Sequence, residues 1–432
     1  MDAMKRAMEE WTDSLAIKEV SVDFSGSSLK TVTLENIYGD ASFTNSEVQD
    51  LGKLERIGRH AYFTHSKITS LGNLKQIGGK ADFTNSEVQD LGDLKEIGGN
   101  AHFGNSKITS LGNLERIGLD ADFSNSKVED LGNLEEIGSI ANFSGSVVVN
   151  LGNLKNVYGS ADFGNSKITS LGNLERIGGD ANFRNSKITS LGNLERIGGD
   201  ANFRNSKITS LGNLEYIGMD ADFTHSKITS LGNLKEIGWN ADFRNSNIQD
   251  LGNLEKIGWN ADFRNSNIQD LGNLKEIGES ARFENSKITS LGNLMYIDGK
   301  LLLHNSEIQD LGNLKEIGGD ADFSNSEIQD LGKLERIFGD ADFGNSKIES
   351  FGNLRYIEGK VLFGNSEHDL ALKEMFNQLF KYNKITGAYE HRSLMKDQIS
   401  KIENSFAQAT TSAQKNMNKI TNKNANNQRE KI

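Results

Sequence analysis

The chain has 432 residues, a formal net charge of −12 and neither cysteine nor proline. The acidic balance argues against nucleic acid as a partner of the main body, and the missing thiols exclude a disulfide frame, a thiolate metal site and a cysteine nucleophile. No run approaches the roughly 18 apolar residues of a membrane span. The start, MDAMKRAMEEWTDSLAIKE, lacks the apolar core of a signal peptide, so a soluble protein, cytoplasmic as synthesised, is expected, with non-classical secretion left open.

Met4, Met8, Trp11 and Leu15 fall on one helical face, which suits residues 1–20 to a helical cap. Val22, Phe24, Ser27, Leu29, Val32 and Ile37 then form an irregular first row of a motif that repeats every 20 residues from Ala41. Sixteen full rows occupy 41–360, and VLFGNS at 361–366 begins one more. The body, residues 21–366, is therefore a solenoid of about 17 coils. Within a row, position 1 is Ala except at Leu301 and Val361, position 3 is Phe except at Leu303, and position 6 is always Ser. Position 8 is Val or Ile until His368, position 11 is Leu apart from Phe351, positions 12 and 14 are always Gly and Leu, and position 17 is Ile apart from Val157.

The alternation at positions 1 and 3 predicts a very short strand with two inward side chains, so stacked coils form a parallel sheet. Positions 8, 11, 14 and 17 recur every three residues, which predicts a return path of tight turns or 3₁₀-like segments. Like residues then lie about 4.8 Å apart along the axis, roughly 80 Å in all. The Ser column is expected to bond its hydroxyls to backbone in neighbouring coils. Gly at 12, and the frequent Gly pair at 18 and 19, are expected where corners need positive φ. Apolar burial within one coil falls short of the entropy lost in ordering it, so each coil depends on its neighbours and the ends need lids.

The row LxxLxxIxGxAxFxxSxI resembles a leucine-rich repeat, with Ala41 and Phe43 as strand positions, Ser46 as the polar ladder and Val48 as the next apolar position. Its 20-residue length, and SKITSLGNLERI above all, is similar to the short repeats of enterobacterial secreted effectors, which read NxLTxLPxLPxxL. IxGxAxF also looks like the repeats of growth-factor receptor L-domains. The resemblance implies a leucine-rich-repeat β-solenoid that binds protein, a bacterial effector or scaffold, and it covers about 340 residues of the chain. This sequence departs from those families in having no proline, Ser in place of the ladder Asn, and no cysteine for a ubiquitin-ligase domain or a disulfide cap. Pentapeptide-repeat proteins, some of them acidic DNA mimics, also have 20-residue coils. Their pattern recurs every five residues, whereas the apolar spacings here are 2, 5, 3, 3, 3 and 4.

After the last row, EHDLALKEMFNQLFKYNK from Glu367 places Leu372, Met375, Phe376, Leu379 and Phe380 on one helical face, a second lid. Leu394, Ile399, Ile402 and Phe406 support a further helix, so 367–406 reads as a helical cap. Residues 407–432 are polar and basic and read as a disordered tail.

No catalytic constellation breaks the repeat, so no enzyme, cofactor or metal is expected. The histidines at 60, 65, 102, 225, 304, 368 and 391 share no ligand spacing. What varies is the outward face at positions 19, 20, 2, 4 and 5. Position 19, commonly Gly, becomes Trp239 and Trp259; position 4 is Arg184, Arg204, Arg244 and Arg264; position 2 supplies Asp242 and Asp262. Aromatic and Arg clusters are favoured at binding hot spots, so these eight residues are the expected contact site of a protein partner on a monomeric solenoid. An ice- or surface-binding solenoid is the competing reading, through a Thr column at 169, 189, 209 and 229 that Gln249 and Gln269 interrupt.

Overall fold

A computed structural model describes residues 20–392. The expected N-terminal cap, apart from Val20, and everything from residue 393, including the later helix and the tail, lie outside the described residues.

The A-x-F triplets build the expected parallel sheet. Its 18 two-residue strands run from Val22–Asp23 to Val361–Leu362, in a register that sets each row on the next, as Ala201 on Ala221. The amides of positions 1 and 3 donate forward, Ala201 N to Asp220 O and Phe203 N to Asp222 O, both at 2.8 Å. The return path holds more order than tight turns. Positions 16 and 17 form a second parallel ladder, from Asn36–Ile37 to Tyr356–Ile357. Position 10 adds a third column of single bridges, such as Ser190 to Ser210. Here the chain faces alternately in and out for only two residues, too few to leave a period in the sequence.

Positions 1, 3, 8, 11, 14 and 17 are buried in every full row and form one continuous core. Phe rings stack face to face from Phe24 to Phe283, with centroids 4.7–5.6 Å apart. Leu303 interrupts the column, and in that row Leu301 replaces the small Ala. The two changes offset each other in volume, as a close-packed interior requires.

Two kinds of residue turn the corners. Gly at position 12 has φ between 50° and 60° from Gly52 to Gly352. Position 5 is equally left-handed, φ 52–64°, and Asn holds it except where His65, His225 or Gly145 stands. Asn tolerates this region better than most residues. Positions 18 and 19 do not share the positive φ expected of them. Gly is favoured at 18 because a Cβ there would meet the preceding coil's carbonyl, as at Gly198, 2.1 Å from Gly178 O.

The Ser column is buried, but its hydroxyls do not bridge coils. Each Ser N–H closes a turn onto the Phe or Leu three residues earlier, as Ser206 N to Phe203 O at 3.0 Å. Only Ser166, Ser326 and Ser346 also turn Oγ onto that carbonyl, at 2.7–2.8 Å; Oγ of Ser206 and most others has no partner.

At the C-terminal end the lid is part helix and part hairpin. Helix α1, Glu367–Leu379, starts in a capping box in which Ser366 and Asp369 satisfy each other's backbone N–H groups. Leu372 and Phe376 are buried, and Met375 and Leu379 pack against the core. Phe380 is buried too, but as the first residue of a hairpin, Phe380–Asn383 with Ala388–His391, where aromatic residues favour strand over helix. The second hairpin strand pairs antiparallel with Tyr356–Ile357 of the last coil.

Candidate functional site

Trp239 and Trp259 precede the strands Ala241–Asp242 and Ala261–Asp262, so the coil register fixes their spacing. Their indoles stack 5.6 Å apart and 13° from parallel, and the residues remain 47% and 45% exposed. Met219, one coil earlier in the same column, is also exposed. This corner therefore presents three successive large apolar side chains where most rows have Gly.

The four arginines divide into two pairs. Asp242 Oδ1 accepts the N–H of Arg244 at 3.0 Å, and both carboxylate oxygens hold its guanidinium, Nε at 3.0 Å and Nη2 at 2.6 Å. Asp262 holds Arg264 in the same way. These hydrogen bonds raise the already high pKa of both guanidiniums. In the rows of Arg184 and Arg204, position 2 is Asn. Asn182 and Asn202 accept the arginine N–H at 3.1 and 3.0 Å but offer the guanidinium no charge. Arg184 and Arg204 thus stand exposed without a carboxylate partner among the described residues.

The arrangement divides the expected site residues into two sets. Arg244 and Arg264 are neutralised within their own coils, while Asp242 and Asp262 anchor the turn that follows each strand. The Trp and Arg residues lie at opposite ends of the two-residue strands, five residues apart, so their Cα atoms are at most about 17 Å apart. The difference between the arginines can be read from the sequence by pairing position 2 with position 4, Asp-x-Arg against Asn-x-Arg. The left-handed role of position 5 also left a signal, since Gly26 and Gly145 occupy it in two rows.

Among the described residues, no three His, Asp or Glu side chains are placed to hold a metal ion, and no helix is long and apolar enough to cross a membrane. No protein-family model matches the chain, and a search of curated proteins found no match.

Proposed function

We propose that the chain is a non-enzymatic, protein-binding solenoid of leucine-rich-repeat type, a scaffold or bacterial effector that docks its partner on the corner built by Trp239 and Trp259. One observation carries this reading: two stacked indoles remain half exposed at a position where Gly is usual. Trp is over-represented at interface hot spots, and the pair offers a rigid apolar anchor at little entropic cost. The unpaired guanidiniums of Arg184 and Arg204, a few coils away on the same side, supply the polar contact first ascribed to all four arginines.

The test is capture of a partner by the parent chain and by a Trp239→Gly/Trp259→Gly variant. Capture should fall at least about 30-fold in affinity, as loss of a hot spot worth about 2 kcal/mol or more requires. Full capture by the variant would place the contact elsewhere. Thermal hysteresis in the parent would instead favour ice binding through the Thr column.

A further inference from the structure

Part of the surface charge of this solenoid is arranged in ladders of alternating sign. At position 15, Lys75 meets Glu55, Lys155 meets Glu135, Lys235 meets Glu215 and Lys275 meets Glu255 between neighbouring coils, at 2.7–3.0 Å. At position 7 the same device joins Lys107 to Glu87 and Lys347 to Glu327.

In four consecutive coils the device is missing. Position 7 is Lys167, Lys187, Lys207 and Lys227, all exposed and none in an ion pair among the described residues. Residues 164–174, 184–194, 204–214 and 224–234 contain no Asp or Glu, so the whole side of these coils that bears the lysines is free of carboxylates. A neighbouring side of the same coils shows the opposite stack. Asp180, Asp200 and Asp220 at position 20 each accept one backbone N–H from the next coil at 2.9–3.0 Å, and none forms an ion pair among the described residues. Like charges stacked about 4.8 Å apart repel. Alternation relieves that repulsion in several other rows; in these coils a Lys stack and an Asp stack stand without it, beside a Glu stack at position 15 (Glu175, Glu195 and Glu215) of which the last member meets Lys235.

We propose that these two stacks are complementary halves of a contact between copies of this chain, the Lys column of one solenoid lying along the Asp column of another. Charge complementarity is one argument and period is the other. Both columns repeat once per coil, so when two axes align every coil brings a fresh Lys opposite a fresh Asp. No flexible polyanion is bound to that spacing. The two surfaces lie on different sides of the molecule, so the contact is heterologous and, unless it closes into a ring, extends into rafts of side-by-side rods. This revises the expectation of a monomer. It does not depend on the Trp corner, and a variant lacking both indoles should assemble like the parent.

Sedimentation velocity of the purified full chain over a concentration series tests it. At about 0.1 M salt the Debye length of about 10 Å screens the net charge of the rods but leaves close ion pairs effective; at about 1 M it falls to about 3 Å. Sedimentation coefficients should rise with concentration at the lower salt and return to the monomer value at the higher. A chain with Lys167, Lys187, Lys207 and Lys227 all changed to Glu should stay monomeric, and so should one with Asp180, Asp200 and Asp220 changed to Lys. Mixing the two should restore assembly, because each then carries a single sign on both surfaces. Should the reversed Lys set fail to fold, the milder Lys→Gln set must show the same loss. Monomeric behaviour of the parent throughout would overturn the proposal. So would unchanged assembly of either reversed variant, no assembly in the mixture of two folded variants, or a parent that binds heparin or single-stranded DNA through these lysines without self-associating.

Discussion

Two columns of parallel aromatic rings run along this molecule at nearly the same pitch. The Phe rings from Phe43 to Phe283 stack at 4.7–5.6 Å with essentially no exposed area, and the indoles of Trp239 and Trp259 stack at 5.6 Å about half exposed. The coil register sets both spacings, so ring geometry does not distinguish structural from functional aromatics in a solenoid. Water does. A dry ring contributes its full transfer free energy, whereas an exposed pair adds only its mutual contact, about 0.5–1.5 kcal/mol beyond the area it buries.

The sharpest way to break the comparison is to cut one ring from each column. Phe203→Ala should destabilise the chain by about 3–5 kcal/mol in urea unfolding, since Phe183 and Phe223 cannot close the gap while the ladders hold their register. Trp239→Gly/Trp259→Gly should cost about 1.5 kcal/mol or less by the same measurement. Equal losses would show that the indoles serve the fold as the Phe column does.

The dry column can also be attacked at its end, where Phe351, Phe376 and Phe380 meet under the lid. The buried carboxylate of Asp369 ties that lid to the last coils through the N–H groups of Ser366 at 2.9 Å and Asn345 at 2.8 Å. Burial pushes its pKa up, but the hydrogen bonds from Ser366 and Asn345 outweigh burial and hold it below the ordinary value. A depressed carboxyl stabilises the fold above the ordinary pKa of about 4, and that contribution is lost as pH falls through the folded value. Amide exchange in residues 367–391 should therefore accelerate below about pH 4 before exchange in the central coils does. Asp369→Asn should cost about 1–3 kcal/mol at neutral pH and flatten that acid response.

The smallest effect sharpens the picture of the polar edge beside the Phe rings. Ser206→Ala removes a hydroxyl without a partner and should leave stability unchanged or slightly raised. Ser326→Ala deletes the 2.7 Å bond to Phe323 O and should cost about 1 kcal/mol. A large loss at Ser206 would mean that its hydroxyl is satisfied after all.

The core positions were legible because burial acts on one column at a time, and a column repeated over sixteen rows averages out the noise of any single row. The second ladder was not, because a strand of two residues such as Arg196–Ile197 carries no alternation of its own; its partner at Tyr216 and Ile217 defines it. The indole pair was visible as a departure from Gly. The neutralisation of Arg244 and Arg264 left a signal as well, Asp-x-Arg, because each contact lies only two residues back within the coil. The lid was foreseen through its apolar face, but not the hairpin, because Phe380 suits a helical face as well as a strand.

The reversed strand Ala388–His391 acts, in the terms of polymer chemistry, as a terminator. A parallel ladder grows by adding strands that run the same way, and an antiparallel one leaves the wrong pattern of donors and acceptors for the next. Rod length is then written into the gene by the number of rows that precede the terminator, with no ruler in the structure itself. Deleting whole 20-residue rows between Asn105 and Gly292 should give shorter rods closed by the same lid.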